Sequence, residues 1–75
     1  MLVKELIEKQ VEFPRVVYVN KNKYNENNEC LLDWKQYLEN QSGKNRLLVE
    51  HGDKEIKFFD YFIVNDEIVL WIDVF

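Results

Sequence analysis

The sequence contains no alanine and no threonine, and only one serine, Ser42. It has one cysteine, one histidine, one proline and two glycines. Each scarcity excludes something. A lone Cys30 cannot form an internal disulfide framework or a multi-cysteine metal site. Two glycines, Gly43 and Gly52, are too few for a phosphate-cradling loop. A single histidine, His51, with scattered carboxylates lacks the spacing of metal ligands. No apolar run approaches the ~18 residues of a spanning helix, and the charged first residues do not read as a signal peptide. The expectation is a cytoplasmic, non-membrane domain. Without small spacers, a core must be built from Leu, Val, Ile and aromatic side chains, which bury much apolar area per residue.

What is present suits that demand. The 75 residues are 47% hydrophobic and 15% aromatic, enough for one small core spanning 1–75 as a single domain. Fourteen acidic residues oppose ten basic ones, a net charge of -4, so the basic stripe of a nucleic-acid binder is not expected. The acidic excess lies in the C-terminal third, where Glu50, Asp53, Glu55, Asp60, Asp66, Glu67 and Asp73 face only Lys54 and Lys57.

Hydrophobic periodicity predicts an α+β domain in the order α-β-α-β-β-β, with a single mostly antiparallel sheet and helices packed on it. Leu2, Val3, Leu6, Ile7 and Val11 recur at helical spacing over residues 2–11. Pro14 ends that helix, and Arg15 to Val19 reads as a β-branched strand. The Asn-rich stretch 20–29 reads as a polar loop. Cys30 to Asn40 reads as a second helix, with Asn28 as N-cap, Ser42-Gly43 as stop, and Leu31, Trp34 and Leu38 on one face; Leu31-Leu32 and Trp34 also fit a short strand. The remainder reads as three strands, Arg46 to His51, Lys54 to Val64 and Glu67 to Phe75, joined at Gly52-Asp53 and Asn65-Asp66. In the last strand Ile68, Leu70, Ile72 and Val74 form one face and Val69, Trp71 and Phe75 the other. A strand apolar on both faces calls for cover on both sides or for another chain.

No reactive constellation emerges. His51 precedes a turn without an evident orienting partner and nucleophile. Cys30 reads as a buried thiol and Ser42 as a turn residue. The sequence therefore leads us to expect no catalysis, no cofactor and no metal.

The opening Val3-Lys-Glu-Leu-Ile-Glu-Lys9, then Phe13-Pro14, then Val16-Val17-Tyr18-Val19, and the closing pair Phe62-Ile63-Val64 and Ile68-Val69-Leu70, resemble a recurring type of short protein from Gram-positive bacteria and their phages. The resemblance implies a phage or mobile-element context and carries no functional residues. The expected function is protein–protein interaction, with a partner protein or a second copy docking on Phe59, Tyr61, Trp71, Asp60, Asp66 and Glu67. The alternative is an acidic inhibitor that mimics nucleic acid and blocks a DNA-processing host enzyme.

Overall fold

Eight elements appear in a computed structural model that describes residues 1–10 and 12–75. They are α1 (Val3–Glu8), β1 (Val16–Lys21), β2 (Lys23–Tyr24), β3 (Cys30–Leu31), β4 (Trp34–Leu38), α2 (Gln41–His51), β5 (Ile56–Val64) and β6 (Glu67–Val74). Four strands form one sheet in the order β4-β1-β6-β5, and β2 and β3 form a small second one. Only the central β1/β6 pair is parallel. The chain is thus α+β with a mostly antiparallel main sheet, but its element order differs from that read from the sequence.

α1 forms where expected but is shorter, ending at Glu8 with Lys9 as its cap, well before Pro14. Val3, Leu6 and Ile7 sit at i, i+3 and i+4 and are buried. Its start is stapled to the chain after α2: the Val3 amide donates to the Lys54 carbonyl and the Lys4 amide to the Gly52 carbonyl, both at 3.0 Å. Val11, which the sequence places on this helix, lies outside the described residues.

Two expectations are overturned. Residues 30–40 are not a helix but the strands β3 and β4, and residues 46–51 are not a strand but the second half of α2. Trp34 and Leu38 are four apart, and that spacing shares a face in a helix and in a strand alike. The ladder decides: Tyr37 pairs with Val17 and is buried, while Trp34 and Leu38 point the other way. Asn28 is no N-cap. It stands at φ 63° in the tip between β2 and β3, where Asn25 Oδ1 accepts from the Asn27 and Glu29 amides. Residues 20–29 accordingly extend the β1–β4 ribbon instead of forming an open loop, and Cys30 is exposed there, not buried. The true cap of α2 is Asn40, extended at φ -160° and ψ 168°, whose Oδ1 accepts from the Gly43 amide at 2.6 Å. Ser42-Gly43 therefore opens this helix instead of stopping one. Gly43 and Leu47, four apart, form its buried stripe.

The expected C-terminal meander is a single hairpin. Its Asn65-Asp66 turn was legible: both residues have positive φ, 52° and 62°, as a two-residue type I′ turn requires. Gly52-Asp53 instead leads out of α2, with Gly52 right-handed at φ -52°.

The core lies on one side of the sheet. Val17 and Val19 of β1, Leu70, Ile72 and Val74 of β6 and Tyr37 of β4 meet Val3, Leu6 and Ile7 of α1 and Leu47 of α2. Every helical contributor to the core lies on that side.

Candidate interaction surface

The strand periodicity that sends these residues inward sends their neighbours to the opposite face, which neither α1 nor α2 covers. The ladders arrange that face in three rows across β4, β1, β6 and β5. The first is Leu38, Val16, Val69, Phe62; the second Gln36, Tyr18, Trp71, Asp60; the third Trp34, Asn20, Asp73, Phe58. Val64 extends it at the hairpin end. Trp34, Leu38, Phe58, Phe62 and Val64 each remain about half exposed.

The face is ordered. The Tyr18 ring lies 5.3 Å from Trp34, edge-on, and 5.7 Å from Trp71. At its lower end Asp73 Oδ1 accepts from Trp71 Nε1 and from Asn20 Nδ2, both at 2.8 Å, and Asn20 Oδ1 accepts from the Asp33 amide at 2.9 Å. Asn20 is buried with its polar atoms used, so the third row holds its polar pair in one geometry.

The chain exposes 5429 Å² and measures 41 × 29 × 20 Å. A monomer of 9.2 kDa should expose roughly 4,900 Å². The chain therefore exposes about 500 Å² more than that scaling gives.

The residues singled out from the sequence divide between two faces. Trp71 and Asp60 are paired in register on the open face. Phe59 and Tyr61 point to the helix side, 6.2 Å apart and edge-on, and Tyr61 donates its hydroxyl to Gln10 Oε1 at 2.8 Å. Asp66 and Glu67 lie at the β5–β6 turn. Tyr61, Asp66 and Phe62 border a groove of about 600 Å³ with Phe13, Pro14 and Ile68. The sequence reading missed Trp34, Gln36, Leu38 and Tyr18 as members of one surface. The alternation Trp34, Gln36, Leu38 against Lys35, Tyr37 was the available signal, and the assignment of 30–40 to a helix hid it.

Four of the seven acidic residues of the C-terminal third lie in ion pairs. Glu50 receives Lys35 Nζ at 3.2 Å, Arg46 at 3.8 Å and the Tyr37 hydroxyl at 2.9 Å. Asp53 pairs with Lys4, Glu55 with the N-terminal amine and Glu67 with Arg15. The Tyr37 and Lys35 hydrogen bonds hold the Glu50 carboxyl below its ordinary range. Burial, reinforced by Glu50, pushes the Tyr37 phenol well above its ordinary value.

His51 ends α2 beside Tyr37, ring centroids 5.8 Å apart. Both its ring nitrogens are buried without a hydrogen-bond partner, and burial holds its pKa below 6.5. It borders a cavity of about 410 Å³ with Lys21, Lys35 and Lys54. The adjacent Glu50 carboxylate is engaged by Tyr37 and Lys35, so it does not orient the imidazole as a general base. No helix is long and apolar enough to cross a membrane among the described residues.

No family model, no curated protein and no solved structure matches this chain.

Proposed function

We propose that this chain is a small interaction module that binds another polypeptide through the open face of its sheet, in the phage or mobile-element setting that the sequence resemblance implies. The observation that carries this reading is the aromatic and aliphatic surface built by Trp34, Leu38, Phe58, Phe62, Tyr18 and Trp71, which neither α1 nor α2 covers. Aromatic anchors on rigid strands are the side chains that dominate binding energy, and charge-poor centres are what distinguish interface cores. Of the residues first singled out, Trp71 and Asp60 belong to this surface. Glu67, paired in register with Val64, borders it at the hairpin end, whereas Phe59 and Tyr61 would contact only a partner that wraps the β5 edge and Asp66 one that reaches the turn.

Immobilised chain and its Phe62→Glu and Trp34→Glu variants test this in a nuclease-treated bacterial lysate spiked with untagged chain. Loss of an anchor of ~2 kcal/mol weakens binding about thirtyfold, so any polypeptide retained by the parent, host protein or untagged copy, is lost from both variants. Equal retention by parent and folded variants sinks the reading. A retained enzyme that is released by moderate salt and displaced by DNA would move the acidic inhibitor to first place.

A further inference from the structure

We infer that the occupant of the open face is a second copy of this chain, docked face to face about a two-fold axis that runs along the strands between β1 and β6. The inference rests on the reading of this face as an interaction surface and names its partner. The argument is self-complementarity. A two-fold along the strands keeps each row in place and exchanges β4 with β5 and β1 with β6. Leu38 of one copy then lies over Phe62 of the other, Trp34 over Phe58, and Tyr18 over Trp71. Gln36, the one uncharged polar residue at the β4 edge, lies over Asp60 at the β5 edge, whose Oδ1 accepts from the Tyr61 amide and whose Oδ2 is left to meet the Gln36 amide donor. Asn20 lies over Asp73, and this pair is already satisfied within each copy.

The alternative two-fold, across the strands, sets Asp60 over its own copy and Gln36 over Gln36. It brings like charges together in a desolvated layer, which is unfavourable. The face has no lysine or arginine in its three rows, so its two carboxylates must be met by hydrogen-bond donors: Gln36 of the other copy for Asp60, and Trp71 and Asn20 of the same copy for Asp73.

The area fits a modest dimer. Half-exposed Trp34, Phe58 and Phe62 offer on the order of 100 Å² each. With Leu38 and Val64 the sum approaches the excess of about 500 Å² noted above. Two copies would bury roughly 1,000 Å², at the lower end of specific interfaces, which points to association in the micromolar range. The product is a sandwich of two sheets about 10 Å apart, with the helices outside.

Sedimentation equilibrium of the full chain over a wide concentration series tests the proposal, with substitutions at a solvent-exposed position that leaves each fold intact. Gln36→Lys places an ammonium over Asp60 of the other copy and should tighten association at least threefold. Gln36→Glu places two carboxylates together and should weaken it tenfold or more. Phe62→Glu should give monomer. In a Cys30→Ser background, a short bis-maleimide should join copies that carry both Gln36→Cys and Asp60→Cys. It should not join copies that carry Gln36→Cys alone, because those residues sit at opposite edges, three strand spacings or roughly 14 Å apart. Weakening by Gln36→Lys, or cross-linking of Gln36→Cys alone, overturns the proposed axis. A chain that stays monomeric at every concentration overturns the dimer. If such a monomer still captures a host protein that Phe62→Glu loses, the interaction reading stands without it.

Discussion

The pair Leu47 and Val49 offers the sharpest test of the fold. As a strand, residues 46–51 would carry Leu47 and Val49 on one face, and truncating either would open a cavity. In α2 the two diverge by about 200° around the helix axis. Leu47 is fully buried in the core, whereas Val49 is 85% exposed. Leu47→Ala should therefore cost about 3 kcal/mol, within the range for buried leucines. A domain of this size holds roughly 4–11 kcal/mol in all, so the loss is a large fraction of its stability and lowers Tm by about 15 °C. Val49→Ala removes only exposed methyl groups and gains helix propensity, a change of up to ~0.5 kcal/mol in the stabilising direction. Urea denaturation at one fixed protein concentration, with unchanged m-values, measures both. Comparable losses in the two variants would refute the helix and restore the strand.

Other perturbations probe particular contacts. A methyl group at Gly43 would run into the backbone carbonyl of Leu38, with Asn40 Oδ1 at 3.2 Å, so Gly43→Ala should lower Tm despite alanine's better helix propensity. Asp66→Val must hold a β-branched residue at positive φ and should cost about 1–2 kcal/mol, while Asp66→Gly should cost nothing, as read by thermal melts. Burial keeps His51 neutral in the folded state below its ordinary 6.5, so the unfolded chain takes up the proton first as pH falls. Stability is then constant above that value and declines beneath it. His51→Phe should flatten the Tm difference between about pH 7.5 and 5.5. An unchanged slope would mean that the imidazole is solvated in the folded protein.

Local physics made several features readable from the sequence. The α1 stripe of Val3, Leu6 and Ile7, the Val-rich β1, the two-faced β6 and the Asn65-Asp66 turn all follow from periodicity and turn chemistry within a few residues. The alternation of Phe58 and Phe62 against Phe59 and Tyr61 along β5 follows from the same two-residue period. Those signals need no partner from elsewhere in the chain.

The tertiary structure decided the rest. Whether Trp34 and Leu38 belong to a helix or a strand has no local answer, since both periods align them, and pairing with β1 settled it. Residues 41–51 are polar apart from Leu47, Leu48 and Val49, and their helix depends on the Asn40 cap and on a socket for Leu47 that the sheet supplies. The open face exists only because β4, β1, β6 and β5 come together in that order, with α1 and α2 both landing on the other side. The sequence by itself determined that β6 would be apolar on both faces. Which face the helices cover, and which side chains of four separate strands share the uncovered one, is a property of the assembled sheet, because β1 and β6, whose paired residues such as Val16 and Val69 are far apart in the chain, become neighbours only through strand pairing.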